Sequence, residues 1–206
     1  QVVIGATQGP EQVAVYAIGI LLGTYYGAFA SAITSLFMPR ATRLAETKAD
    51  AARFNLELVG IGRIALLVLL LILGGFACFG REFIYLWAGV DYAAAWTVAM
   101  IIMLVYTVPL SQSFANQLLE ARGLFAFKAK VYLAALPAGV MVGYLLMGRA
   151  GVAGMALGIA AGWVLALLVM NVYYHRTLGL DMPGFFKAMA RGLLPVFVAC
   201  LALGAF

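Results

Sequence analysis

The sequence predicts an all-α fold, a polytopic bundle of transmembrane helices, and three observations carry that prediction. Of the 206 residues, 66% are hydrophobic and only 10% charged, whereas soluble domains average about 45–50% apolar and about 25% charged residues. Lys, Arg, Asp and Glu are confined to connections between apolar stretches long enough to cross a bilayer. The basic residues of those connections alternate between rich and poor along the chain. A water-soluble globule is excluded, and two cysteines cannot staple a chain of this size into a disulfide scaffold.

The elements follow in order. Residues 1–6 read as the last turns of a helix. Stretches free of Lys, Arg, Asp and Glu then run over 12–39, 64–80, 93–118, 131–148, 150–174 and 192–206. Their lengths suit tilted helices, which need about 20 residues to cross about 30 Å of hydrocarbon. The first is long enough that it must tilt or reach beyond the lipid. Between spans, the 40–63 segment has Leu44, Ala51 and Leu58 at heptad spacing, with Asp50, Arg53 and Glu57 spaced for helical ion pairs. It reads as a short amphipathic helix lying in the interface, or else as a solvated helical arm. Phe83, Tyr85, Trp87 and Tyr92 cluster beside Glu82 and Asp91 and suit the headgroup level. The chain opens inside a helix remnant and closes inside an apolar run, so the expectation is a fragment of a larger, transporter-sized protein.

Counting basic residues orients the spans. The 40–63 connection holds Arg40, Arg43, Lys48, Arg53 and Arg63; 81–92 holds Arg81 alone; 119–130 holds Arg122, Lys128 and Lys130. The turn near 149 has Arg149 alone, and 175–191 has Arg176, Lys187 and Arg191. Lys and Arg are retained on the cytoplasmic side, which puts 40–63, 119–130 and 175–191 in the cytoplasm and the sparse connections outside. The net charge of +5 therefore reports topology and implies no nucleic-acid partner.

Two spans have ladders of small residues: Gly19, Gly23, Gly27, Ser31 and Ser35, then Ala150, Gly154, Gly158, Gly162 and Ala166. Between helices in lipid, close backbone approach supplies much of the attraction, so each ladder predicts a packing seam. Such smooth seams also let helices slide during alternating access. Pro39, Pro109 and Pro137 weaken their helices locally and are candidate hinges.

Catalytic and cofactor signals are sparse. His175 has no His or Cys at metal-ligand spacing, and no glycine-rich phosphate loop is present, so neither a metal nor another cofactor is expected. Cys78 and Cys200 lie in apolar runs and read as small packing residues. Glu82 and Asp91 are the only acids suggesting a membrane-embedded glycosyl transferase or polymerase. No ionisable carboxylate, histidine, lysine or arginine lies within the spans, where ion-coupled carriers place one. Neutral polar residues occur there instead. The first span has Thr24, Tyr25, Ser31, Thr34 and Ser35, with Thr24, Ser31 and Ser35 on one face; the third ends with Gln112 and Asn116 four apart. Hydroxyls and amides both donate and accept, as sugar hydroxyls require, so these residues are candidates for a polar cavity lining. Interhelical hydrogen bonding is the competing reading.

Several motifs resemble one family. Phe79-Gly80-Arg81-Glu82-Phe83-Ile84-Tyr85-Leu86-Trp87-Ala88-Gly89-Val90-Asp91-Tyr92 resembles a run that follows a span in polysaccharide flippases. Gly9-Pro10-Glu11-Gln12-Val13-Ala14-Val15-Tyr16 is similar to their glycine-proline opening, and Leu36-Phe37-Met38-Pro39 to the close of the same helix. Gly148-Arg149-Ala150-Gly151-Val152-Ala153-Gly154-Met155-Ala156 resembles their short outer turn before a glycine-rich helix. The resemblance is to the polysaccharide/oligosaccharide flippases of the multidrug/oligosaccharidyl-lipid/polysaccharide exporter superfamily. It implies one lobe, the C-terminal one, of a two-lobe alternating-access transporter in the bacterial cytoplasmic membrane. It further implies a lipid-linked saccharide on a polyprenyl pyrophosphate as substrate, an N-terminal lobe as partner, and no covalent chemistry. The first two helices of a lobe would line the cavity, favouring the Thr24, Ser31, Ser35 face. Arg40 and Arg43, at the cytoplasmic mouth, become candidates for the phosphate contact; their simpler reading is as topology determinants at a membrane edge. A multidrug exporter of the same superfamily is the nearest alternative.

Overall fold

The computed structural model describes residues 2–36, 39, 43, 51–192 and 197. Among them every regular element is helical. Helix α1 (Val2–Gln8) ends at Gly9, whose φ of +86° turns the chain directly into α2 (Pro10–Ser35). Proline suits that first helical position because its missing N–H would have no helical partner anyway. Helix α3 (Ala51–Ala88) follows, and a 3-10 turn at Val90–Tyr92 leads into α4 (Ala95–Ser111). Helix α5 (Ser113–Ala121) continues α4 after a 52° bend. Helix α6 (Phe125–Thr177) is broken at Gly151, and α7 (Met182–Gly192) closes the described chain.

Three of these helices are long and apolar enough to cross a membrane: 10–33, 52–88 and 125–177, with the bent α4–α5 pair as a fourth. Their lipid-type surface is aliphatic, with Leu71, Leu133, Leu145 and Leu168 all exposed.

Two boundaries differ from the sequence reading. Residues 51–63, the 64–80 span and residues 81–88 of the following connection form one helix of 38 residues, about 57 Å long. Gly60 and Gly62 do not interrupt it. Gly62 instead lets another helix approach: a Cβ there would stand 2.5 Å from Phe185 Cε2 and 3.1 Å from the Ser111 carbonyl. The third span bends at Gln112 (φ −95°, ψ 16°), while Pro109 is accommodated inside α4. Arg40, most of the 40–50 stretch and most of the 192–206 span lie outside the described residues.

Helix α6 reverses direction at Gly151, where φ +55° and ψ −140° define a conformation open to glycine and strained for other residues. Its arms, 125–150 and 152–177, then pack antiparallel through facing ladders. A Cβ on Gly139 would lie 2.9 Å from the Gly158 carbonyl, and one on Gly162 2.6 Å from the Ala135 carbonyl. Gly158 meets the Gly143 backbone just as closely, and Gly154 that of Leu146. The first-span ladder divides instead. Gly19 and Gly23 abut Val98 and Ile102 of α4, each 2.5 Å from where a Cβ would sit, whereas Gly27 faces open space. Tyr26, on the buried side of α2, binds three helices together: its Oη lies 2.6 Å from Thr107 Oγ1 and 3.3 Å from the Leu69 carbonyl.

Separate apolar cores mark the ends of the bundle. One joins Phe54 and Leu58 of α3, Phe114 and Leu118 of α5, Met170 and Tyr174 of α6, and Phe185 of α7. The opposite core joins Ile4, Tyr16, Val98, Met147 and Met155. Between them lie Tyr26, Leu69, Leu73 and Met103. The connections rich in Lys and Arg therefore gather at the Phe54–Phe185 end. There Arg122 sits over the Phe54 ring at 5.3 Å and Lys128 pairs with Glu120 at 3.2 Å. Arg81, over Trp96 at 4.4 Å, and Arg149 occupy the other end.

The seam gives a sharp contrast between two glycines. Gly158→Leu should destabilise the protein by about 3 kcal/mol or more, because backbone, not a movable side chain, opposes it. Gly27→Ala should change stability by less than about 1 kcal/mol. Unfolding of the purified protein in detergent or bilayer measures both.

Candidate functional site

Polar residues at membrane depth fall into two groups with different surroundings. The first lies on α2. Thr24, Ala28, Ser31 and Ser35, at steps of four, three and four, form one stripe, and all four are exposed on the bundle. Tyr25 flanks it at 56% exposure. Thr24 donates to the Ile20 carbonyl at 2.9 Å and Ser35 to that of Ala32 at 2.9 Å, so both hydroxyls bond within their own helix. Thr34 belongs to α2 as well. Arg43 is exposed beyond the end of α2.

The second group is the elbow between α4 and α5. Gln112 is 1% exposed, and its amide nitrogen donates to Asn171 Oδ1 at 2.8 Å. Asn171 donates onward to the Leu167 carbonyl at 2.8 Å. One turn along, Tyr174 donates to Asn116 Oδ1 at 2.7 Å. Gln112 Oε1 and Ser113 Oγ are buried with no hydrogen-bond partner among the described residues. Gln112 and Asn116 are thus turned toward the second arm of α6 and joined to it, apart from the exposed stripe of α2. No local sequence pattern points to these partners. Asn171 and Tyr174 lie more than fifty residues away, and only the four-residue spacing of Gln112 and Asn116 hinted at a shared face.

A third feature is formed only by the tertiary packing. Between α2, α4 and the second arm of α6 lies a cleft of about 130 Å³ lined by Tyr16, Ile20, Thr24, Val105, Tyr106 and Trp163, among others. Trp163 is held edge-on by Tyr106 on one helix and Tyr132 on the other arm, with centroids at 4.9 and 5.1 Å. Thr24 belongs both to this cleft and to the exposed stripe. These rings come from three separate elements, so no local spacing reveals them.

Among the described residues no group of three or more His, Cys, Asp or Glu could hold a metal. Cys78 is a free, half-buried thiol. Fold and polar features together define a helical bundle with the dimensions and apolar surface of a membrane-crossing protein. No protein-family model, curated protein or solved structure matches the chain.

Replacing Asn171 with Leu removes the acceptor of the Gln112 amide N–H and should cost about 1 kcal/mol, within the range measured for hydrogen bonds between membrane helices. Gln112→Leu combined with Asn171→Leu should recover part of that loss, since both ends of the pair become apolar. A double-mutant cycle on unfolding in detergent reads this directly.

Proposed function

We propose that this chain is one lobe of an alternating-access flippase that carries a lipid-linked saccharide, borne on a polyprenyl pyrophosphate, across the bacterial cytoplasmic membrane. The observation that carries the reading is the exposed stripe of α2. Elsewhere the exposed surface presents large aliphatic side chains such as Leu71, Leu133 and Leu145. Along α2 it includes a stripe of Thr24, Ala28, Ser31 and Ser35, flanked by the exposed side chains of Leu21, Tyr25 and Phe29. A surface of small and hydroxyl-bearing residues suits a water-filled cavity facing a second lobe, because hydroxyls exchange bonds readily with water and sugar. The motif resemblance supplies the substrate class.

In this mechanism the lobe moves as a body, and the α2 stripe meets the saccharide as the cavity opens to one side and then the other. The end bearing Arg122, Lys128, Lys130, Arg176 and Lys187 faces the cytoplasm, by the retention of basic residues there. Arg40 and Arg43, which follow α2, receive the pyrophosphate at the cytoplasmic mouth, where a guanidinium can bind two phosphate oxygens at once. No covalent step is required.

The test is export itself, in cells whose surface polysaccharide depends on the full-length protein. Ser31→Leu with Ser35→Leu should lower export at least about tenfold with membrane levels unchanged. Leu71→Ala and Leu133→Ala, on the aliphatic surface, should leave it within about twofold. Normal export by the α2 double variant would overturn the reading.

A further inference from the structure

The tyrosines buried within this bundle do not behave alike. Tyr26 and Tyr174 each place their hydroxyl within 2.7 Å of a side-chain oxygen on another helix. Tyr16, although only 2% exposed, makes no hydrogen bond to any described residue; neither does Tyr106 nor the indole of Trp163. All three line the same cleft between α2, α4 and the second arm of α6. Tyr106 and Trp163 are only half-buried, and none of the three polar groups is sealed off from the opening, so each stays free to bond a molecule that enters the cleft. Two unpartnered phenols and an indole converging on one opening are therefore poised for a ligand that can hydrogen-bond.

We infer that this cleft is a subsite for a single sugar ring of the transported saccharide. The inference rests on the flippase reading and adds where in the lobe the sugar is recognised. The chemistry fits a pyranose better than a lipid chain. A sugar ring has hydroxyls at its edge, which both accept from and donate to phenols, and an apolar C–H face that packs on an aromatic ring. Tyr16 and Tyr106 supply the hydroxyls, and Trp163 the aromatic surface. Tyr132 and Tyr106 hold that indole in place through edge contacts. Ile20, Ile102, Val105 and Ile159 form apolar walls around these groups. Thr24 stands at the junction with the α2 stripe, so a saccharide in the cavity reaches the cleft without crossing lipid. An alkyl chain would fill the apolar walls but leave the phenols and the indole unpartnered.

The experiment uses the full-length protein in nanodiscs, with Trp87→Phe and Trp96→Phe leaving Trp163 as the reporter within this chain and any tryptophans elsewhere likewise replaced. The probes are an alkyl glucoside and an alkyl phosphocholine of the same chain length. The glucoside should change Trp163 fluorescence saturably while the phosphocholine does not. Tyr106→Phe and Tyr16→Phe should each weaken the glucoside response about two- to tenfold, the range for one neutral hydrogen bond, with the emission spectrum of the unliganded protein unchanged. An equal response to both probes would show an apolar slot and overturn the inference, as would no response to either. These outcomes are separable from the transport reading. Loss of export in the Ser31/Ser35 variant with a silent Trp163 sinks the subsite alone. Saturable glucoside binding with export insensitive to Ser31 and Ser35 sinks the transport reading alone.

Discussion

Backbone-to-backbone contact between the two arms of α6 is the constraint on which the rest of the bundle depends. Lipid offers helices little hydrophobic reason to associate, so association relies on how closely two backbones can approach. Here Gly139 and Gly143 face Gly158 and Gly162 with no room for a side chain on either arm. The turn at Gly151 that makes this possible has a backbone geometry suited to glycine. Once the seam forms, the adjacent face of the second arm, with Ala156, Ile159, Ala160 and Trp163, is fixed toward α2 and α4. The same arm presents Asn171 and Tyr174 to the α4–α5 elbow.

Polar side chains then fix register where small residues allow sliding. Tyr26 joins α2 to α3 and α4, and the Gln112–Asn171 and Asn116–Tyr174 pairs join the elbow to α6. Asp181 adds a fourth tie: its backbone N–H donates to Asn55 at 2.7 Å, while its carboxylate accepts from the Gly184 N–H at 3.0 Å and caps α7. These ties cluster toward the basic end and the middle of the bundle. The α2 stripe, by contrast, bonds within its own helix at Thr24 and Ser35, which leaves that surface smooth for a moving neighbour.

The helical class and the grouping of connections were legible in the sequence because hydropathy and charge act over whole segments. Arg122, Lys128, Arg176 and Lys187 were assigned to one side of the bundle by counting alone, and the fold brings their connections to one end. The ladder from Gly154 to Ala166 was legible as a seam. Its partner, Ala135, Gly139, Gly143 and Met147, has the same four-residue period but is masked by a large residue at one rung and a proline nearby. The continuity of α3 was hidden for an electrostatic reason: Arg53, Glu57 and Arg63 mark a water-exposed stretch, yet a helix can leave the lipid without ending. The partners of Gln112 and Asn116 depend on long-range packing that no local pattern encodes. So does the meeting of Tyr16, Tyr106 and Trp163.

A transport role for this lobe requires that the α2 stripe face water and not lipid. The most direct measurement places a spin label at single cysteines replacing Thr24, Ser31 and Ser35, with Leu71 and Leu133 as references, in full-length protein in a bilayer. Collisions with a water-soluble nickel chelate and with lipid-soluble oxygen then distinguish the two environments. A cavity-facing stripe gives chelate-dominated relaxation at Thr24, Ser31 and Ser35 and oxygen-dominated relaxation at Leu71 and Leu133. Oxygen-dominated relaxation at all five positions would contradict it.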